Sequence, residues 1–494
     1  MNPDFETDRL TAGLRERAVR GGAVTVISQL ARSGLQMASM MVLARLLLPQ
    51  DFGLMAMVTA ITGFLAVFTD LGLSMATIQR PEISHVQLST LFWVNAALGA
   101  GVMLVTVATA PAIAWFYGEP RLAWIALTLS GAFLVSGIAV QHQALLRRHM
   151  RFGVLAWIEI SAVAAGAAAG VGSAWSGAGY WALVVMQLAV AAVATAGAWL
   201  MYRWRPGRPA PGADVRSMLA FGRNLTGFNL LNYLARHLDD ILIGRVWGAQ
   251  SLGVYDVAYR MLLLPIQQIS TPVAGVAIPI LSRITDAPAR YRHAYLRILE
   301  KIAIVTMPGV AFMVASSDWL VAIVLGPRWT EAGTIFAFLG IAAFTQSISN
   351  TTGWLFITQA RTRDMFRWAL IGETIAGLAI LIGLPWGAVG VAAVYGLTEA
   401  LIRTPLLYWY VGRKGPVQAH DIYRTVAPAA VASLCALLAV FGIRSWVEIP
   451  SPHIGLAVSF SLTAGVVLVV LSALPSGRLA LRDFRGSLAL LKPR

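Results

Sequence analysis

Apolar runs of about 19–29 residues recur along the whole chain, and nothing else in the sequence constrains the fold as strongly. They fall near residues 21–47, 52–78, 88–115, 122–146, 153–175, 180–202, 218–244, 252–280, 298–324, 333–358, 366–384, 388–411, 424–443 and 454–474. Each can cross a bilayer as a helix, the form that satisfies its own backbone hydrogen bonds where no water is available. The runs are continuous rather than alternating, which excludes a transmembrane β-barrel. The expected fold class is all-α integral membrane, with about fourteen transmembrane helices. Only 12% of the 494 residues are charged, half of what a soluble domain carries. A soluble enzyme is excluded, and the remaining stretches are too short for a large aqueous domain.

The formal net charge of +15 would suggest nucleic acid in a soluble protein. Here the cations sort by loop instead, so no nucleic-acid partner is expected. Arg9, Arg15, Arg17 and Arg20 precede the first run. After every second run come Arg147, Arg148 and Arg151; Arg203, Arg205, Arg208 and Arg216; and Arg283, Arg290, Arg292 and Arg297. The series continues with Arg361, Arg363 and Arg367; Arg413, Lys414 and Arg424; and Arg478, Arg482 and Arg485. The intervening turns are nearly bare: Ser176–Gly179 and Pro385–Ala388 carry no cation. Because cytoplasmic loops collect Lys and Arg, both termini are expected in the cytoplasm, in keeping with an even number of spans. The polar, basic residues 1–20 and the long run after them read as a retained first span rather than a cleaved signal peptide. Cys435 is the only cysteine and lies in an apolar run, so it has no redox role.

Sliding the chain against itself exposes a duplication. Arg45, Gln50 and Gly53 match Arg245, Gln250 and Gly253 at one offset of two hundred residues, and Trp175–Tyr180 resembles Trp386–Gly390 at a slightly larger one. An even number of spans per repeat gives both halves the same orientation, as in transporters whose lobes rock about a central path. The expected organisation is a cytoplasmic segment (1–20), a six-helix lobe (21–205), a cytoplasmic linker (206–217) and a second six-helix lobe (218–413). Two further helices and a cytoplasmic tail complete the chain (414–494).

The stretch Leu43-Ala44-Arg45-Leu46-Leu47-Leu48-Pro49-Gln50-Asp51-Phe52-Gly53-Leu54 resembles the opening signature of bacterial polysaccharide exporters, as do Asp70–Arg80 and Leu88–Trp93. The second lobe adds Phe221-Gly222-Arg223-Asn224 and Leu252-Gly253-Val254-Tyr255. These exporters are the O-unit and colanic-acid-type flippases of the multidrug/oligosaccharidyl-lipid/polysaccharide superfamily. The resemblance implies fourteen helices in two six-helix lobes plus two. It also implies flipping of a polyprenyl-pyrophosphate-linked (undecaprenyl-pyrophosphate-linked) oligosaccharide across the inner membrane. The implied partners are that lipid, the bilayer, glycosyltransferases and a polysaccharide polymerase, with the exporter itself a monomer. The motif residues read mainly as turns and packing glycines.

Charges inside the membrane are the candidate functional residues, because each costs about 2.5–3.5 kcal/mol at the bilayer centre and so faces protein or a watery cavity. Arg32 lies in the middle of the first run, too central for an easy reach to either surface. The seventh and eighth runs carry Arg236, His237, Asp239, Asp240, Tyr255, Asp256, Tyr259 and Arg260. At the offset of two hundred, Arg236 corresponds to Gln36, Asp239 to Ser39, Asp240 to Met40, Asp256 to Ala56 and Arg260 to Ala60. The first lobe does without these charges, so they are not demanded by the shared scaffold.

Arg32, Arg236 and Arg260, with Tyr255 and Tyr259, are therefore candidates for the substrate pyrophosphate, which a planar guanidinium can bind through two oxygens at once. The competing structural reading pairs Arg236 with Asp240 and Asp256 with Arg260, four residues apart on one helix face. Related lipid II flippases have a sodium site joining helices seven, eleven and twelve. Asp239 or Asp240, Glu373, Thr398 and Glu399 sit on the corresponding helices and are candidates for coupling to Na+ or H+; Glu399 also has Arg403 four residues on as a structural partner. Asp70 reads as a helix cap or an arginine partner, and Glu159 has a weaker claim. Flanking Trp residues, including Trp115, Trp175, Trp181 and Trp204, read as interfacial anchors. Pro265, Pro272 and Pro279 recur every seven residues and suggest a bent eighth helix.

There is no G-x-x-x-x-G-K-[ST] loop, no paired-cysteine zinc pattern and no H-E-x-x-H, so no cofactor or metal is expected. An oligosaccharide-lipid flippase is the favoured function. A multidrug cation antiporter of the same superfamily should place acids, not Arg32, in its first-lobe cavity. A polysaccharide polymerase or ligase should carry a large extracytoplasmic loop, which the chain lacks.

Overall fold

The computed structural model describes residues 14–80, 82–210, 230, 233–234, 236–447, 449, 451–475 and 477–479, with side chains from Thr25 onward. The described residues are predominantly helical and include no strand. Ten helices are long and apolar enough to cross a membrane, or eleven if one bent pair counts as a span. The chain is a multi-pass integral membrane protein, but fourteen spans are not confirmed among the described residues. Three causes are local. The helix over the first expected span (21–47) is not among the ten, most of the 218–244 run lies outside the described residues, and two pairs of expected spans join into single helical runs, Leu238–Ser282 and Thr362–Gly412. By Cα proximity the chain divides into two compact units, Met1–Gly253 and Val254–Arg494.

In the first unit α1 (Leu14–Leu46) precedes α2 (Pro49–Ala66), which starts on a helix-compatible proline and on Asp51, whose carboxylate accepts from the Leu48 N–H at 2.9 Å. The run expected at 52–78 does not stay helical. After a 3-10 turn (Val67–Thr69) the chain passes through left-handed conformations at Leu71 (φ 47°) and Gly72 (φ 69°), then re-enters α3 (Leu73–Gln79). A broken helix inside a membrane needs other donors for its freed carbonyls. Asn95, on α4 (His85–Tyr117), donates to the Thr69 carbonyl at 3.1 Å, and Arg148 donates to the Thr77 carbonyl at 2.8 Å. Gln141 ties the two sides, donating to Asn95 at 2.8 Å and accepting from Thr77 at 2.9 Å. Asp70 takes the helix-capping option, accepting from the Ser74 N–H at 2.9 Å.

The unit continues with α5 (Arg121–Gly137), α6 (Val140–Arg148), α7 (Phe152–Trp175) and α8 (Trp181–Met201); α5 and α6 form the bent pair, at 41°. Helices α7 and α8 approach closely through Gly166 and Gly170, where a Cβ would meet Val190 and Met186. Trp115 and Trp175 are largely exposed at helix ends, as interfacial anchors should be, but Trp204 is not an anchor. It is 9% exposed, packed edge-on against Phe92 and His142, because the chain after α8 lies across α4 instead of leaving the bundle. Gly207 accepts from the Trp93 indole and donates to Ser89, both at 2.9 Å. The rest of the expected linker and the Phe221–Asn224 motif lie outside the described residues.

Helix α9 (Leu238–Ser282) is interrupted at Gly248 (φ 78°, ψ −178°), so residues 238–247 and 249–282 are separate helical pieces. The repeat-matched glycines meet here. A Cβ on Gly53 would lie 1.7 Å from the Ala249 carbonyl oxygen, and one on Gly253 would lie 1.8 Å from the Pro49 carbonyl oxygen. Residues 49 and 249 are themselves equivalent at the same offset, so the contact is reciprocal, backbone against backbone. Tyr233 reinforces it, donating to the Thr59 carbonyl at 2.8 Å.

The second unit contains α10 (Pro288–Ala315), α11 (Ser317–Val324), α12 (Thr330–Thr358), α13 (Thr362–Gly383) and α14 (Gly387–Thr398). The 51-residue apolar run Thr362–Gly412 is a hairpin, because Gly387 (φ 75°) reverses the chain and α14 packs back on α13. A π turn (Glu399–Arg403) leads into α15 (Thr404–Gly412). Aromatic residues Tyr291, Tyr295, Trp354, Phe356 and Tyr408 build the core, with the Tyr295 hydroxyl 2.8 Å from that of Thr351. Helices α16 (Ala419–Trp446) and α17 (Pro452–Ala473) belong to this body. Asp421 pairs with Arg292 of α10, and Arg444 pairs with Asp318 of α11 at 2.5 Å while stacking over Trp319.

Candidate functional site

In the first unit the site is built on α1. Thr25, Gln29, Arg32, Gln36 and Ser39 recur at intervals of three and four residues, so they share one helix face. This stripe makes α1 less apolar than the ten candidate spans, and a polar stripe on a helix that enters the bilayer faces protein or water rather than lipid. Arg32 sits at its centre and is already held from two sides. Its Nη1 lies 2.9 Å from Oε2 of Glu159 on α7, and its Nη2 donates to Gln29 at 2.5 Å. Arg32 and Glu159 remain 31% and 41% exposed, so the pair is reachable.

Asp239 and Asp240 also belong to the first unit, at the start of α9, and both are half-buried. Asp240 Oδ2 lies 2.8 Å from His237 Nδ1, and the Asp240 N–H donates to Asp239 Oδ1 at 3.0 Å. The His237 ring in turn lies over Tyr233, with centroids 4.3 Å apart. Arg236 is exposed.

In the second unit Arg260 reaches Asp256 at 2.7 Å, the intrahelical pair expected from their spacing, with Arg260 60% exposed and Asp256 mostly buried. Tyr255 and Tyr259 stack in parallel, but Tyr255 is 1% exposed and inside the packing, whereas Tyr259 is partly accessible. Arg403 bridges Glu399 at 2.8 Å and Glu373 at 2.9 Å. Glu399 is buried, and Gly372 leaves room for the guanidinium, since a Cβ there would lie 3.1 Å from Arg403 Nε. Two carboxylates share one guanidinium, leaving a formal charge of −1 inside the helix bundle. Thr398 ends α14 just before the π turn that displaces Glu399 and Arg403 from regular helical register. Among the described residues no group of three or more His, Cys, Asp or Glu could hold a metal ion.

Residues 42–334 match the family described as polysaccharide biosynthesis protein. The chain belongs to this family. Within it, the chain is 29% identical over 403 residues to the lipopolysaccharide biosynthesis protein WzxC of Escherichia coli (strain K12), covering 80% of this chain and 81% of that one. It is 25% identical to the teichuronic acid biosynthesis protein TuaB of Bacillus subtilis (strain 168), over 82% of this chain and 84% of the other. It is 22% identical to the succinoglycan biosynthesis transport protein ExoT of Rhizobium meliloti (strain 1021), over 95% of both chains. The fold is that of the lipid II flippase MurJ in an inward closed conformation, with a TM-score of 0.72, 12% identity, and 92% of this chain and 98% of that one covered. An inward-facing multidrug resistance MATE transporter gives a TM-score of 0.57 at 12% identity, over 84% of this chain and 99% of the other.

Two participants in this family member's polar sites do not stand out in the sequence. Glu159 is the partner of Arg32, and Gln29 its second anchor. The stripe from Thr25 to Ser39 carries the signal for Gln29, since its spacing is helical. Nothing local signals Glu159, because the pairing joins residues 127 apart.

Proposed function

We propose that this protein flips a polyprenyl-pyrophosphate-linked oligosaccharide unit across the bacterial inner membrane by alternating access, for synthesis of a surface polysaccharide such as O-antigen, capsule or exopolysaccharide. Family membership and the named roles of WzxC, TuaB and ExoT support the substrate class, and the shared fold with a lipid II flippase supports the mechanism. The observation that carries the reading is Arg32, a guanidinium held at the centre of α1 on a continuous polar face and still 31% exposed. A pyrophosphate cannot cross a low-dielectric core bare, and a preplaced cation lowers that barrier.

In this reading Arg32 and Arg236 of the first unit and Arg260 and Tyr259 of the second each serve the headgroup. Asp239 and Asp240, or the Arg403-held pair Glu373 and Glu399 with Thr398, couple the cycle to Na+ or H+. The helices are organised in this reading as six plus six plus two, with both termini and the 206–217 linker in the cytoplasm, an arrangement supported by the positive charge of those segments. The protein acts as a monomer, downstream of glycosyltransferases and upstream of a polysaccharide polymerase.

Complementation of a deletion strain tests this directly. Arg32→Ala and Arg260→Ala are each expected to abolish surface polysaccharide at normal membrane abundance, while Arg→Lys keeps some activity and Arg208→Ala is tolerated. Normal export by both Ala variants would overturn the cationic-path reading.

A further inference from the structure

The Arg32–Glu159 contact carries a second role, which rests on the pyrophosphate reading of Arg32. Among the described residues Arg32 is the hydrogen-bond partner of Glu159, and α1 and α7 already pack directly against each other. The carboxylate caps no helix end, since it lies seven residues inside α7. Its formal contribution is a single negative charge at the place where a headgroup phosphate would approach the same guanidinium. Gln29 holds the other side of the guanidinium, so Arg32 keeps its position if Glu159 lets go.

We propose that Glu159 is an exchangeable counter-ion: it holds Arg32 while the path is empty, is displaced by the incoming pyrophosphate, and reclaims Arg32 to expel the lipid after translocation. An arginine left without a counter-charge in the membrane is costly, so a resident carboxylate keeps the empty carrier from stalling with a stranded charge. It also sets the charge a substrate must bring. A pyrophosphate diester carries more than one negative charge and outcompetes a carboxylate, whereas a monophosphate diester only equals it. Glu159 thereby moderates affinity and discriminates between the two headgroups.

The test is binding of farnesyl-pyrophosphoryl-N-acetylglucosamine and farnesyl-phosphoryl-N-acetylglucosamine, a pyrophosphate diester and a monophosphate diester, to the purified full chain in nanodiscs, for wild type, Glu159→Gln, Arg32→Ala and the double variant. Glu159→Gln is expected to bind the pyrophosphate probe about tenfold more tightly, the scale of one partly screened charge-assisted hydrogen bond, and the monophosphate probe by a larger factor, so that the preference for pyrophosphate narrows. Arg32→Ala and the double variant should bind neither. A merely structural pair predicts the opposite sign, weaker binding with lower stability. If Glu159→Gln aggregates, Glu159→Asp, which shortens the reach to Arg32, should still tighten binding by a smaller factor. Unchanged or weakened affinity in the folded Glu159 variants, with binding still lost in Arg32→Ala, overturns the counter-ion alone. Probe binding retained by Arg32→Ala overturns the pyrophosphate reading beneath it.

Discussion

The reciprocal glycine contact makes a quantitative prediction. Adding a methyl at Gly53 places a carbon 1.7 Å from the Ala249 carbonyl oxygen, and at Gly253 a carbon 1.8 Å from that of Pro49. Side-chain carbons do not approach such atoms closer than 3.0 Å, so the helices must separate by at least 3.0 − 1.7 = 1.3 Å. Neither obstruction is a flexible side-chain end; both are helix backbone, so no rotamer change relieves them. Overpacking of this kind costs about 1–3 kcal/mol, and the upper end applies. Against it stands about 0.5–1 kcal/mol gained wherever Ala replaces Gly in a helix. Gly53→Ala and Gly253→Ala should therefore each lower the temperature at which detergent-solubilised protein loses its monodisperse peak. Gly101→Ala and Gly172→Ala, at helix positions with nothing within 4 Å, should leave it unchanged or raise it. Because both glycines serve one crossing, the first substitution opens the space the second needs. The double variant should be less destabilised than the sum of the singles by more than about 0.5 kcal/mol. Additive effects, or singles as stable as wild type, would refute the reciprocal contact.

Three further outcomes follow from particular side chains. Arg403→Ala strands Glu399 and Glu373 and should cost about 3–5 kcal/mol in the same heating assay, with recovery when both acids become Gln. Gln141→Leu removes the link between Asn95 and Thr77 beneath the α2–α3 break and should cost about 1–3 kcal/mol, whereas Thr90→Ala at the same end of α4 should cost less. Topology reporters fused at Gly177 and Trp386 should give periplasmic signals, and those at Gly207 and Arg494 cytoplasmic ones; a periplasmic signal at Gly207 would break the two-lobe arrangement.

Span positions were legible because apolar length alone decides them. The runs at 88–115, 153–175 and 180–202 became His85–Tyr117, Phe152–Trp175 and Trp181–Met201. The break at Leu71–Gly72 was hidden, since the polar groups that make it tolerable, Asn95 and Arg148, come from other helices. Pairings show the same division. Asp256–Arg260 and Glu399–Arg403 follow from four-residue spacing, but Glu373 joins Arg403 from thirty residues away and Glu159 joins Arg32 from 127. The match of Gly53 to Gly253 was readable as a repeat; that the two positions touch required coordinates. Trp204 misled because an aromatic at the end of a span looks the same whether the chain after it leaves the bundle or folds across it.

The most direct measurement is flipping itself. Purified protein in liposomes containing a fluorescent polyprenyl-pyrophosphate oligosaccharide should move the lipid from one leaflet to the other. Wild type should equilibrate the leaflets, an imposed Na+ or H+ gradient should change the rate, and Arg32→Ala should leave the lipid where it began. Equal flipping by wild type and Arg32→Ala, or none by wild type that is folded and inserted, would contradict the account.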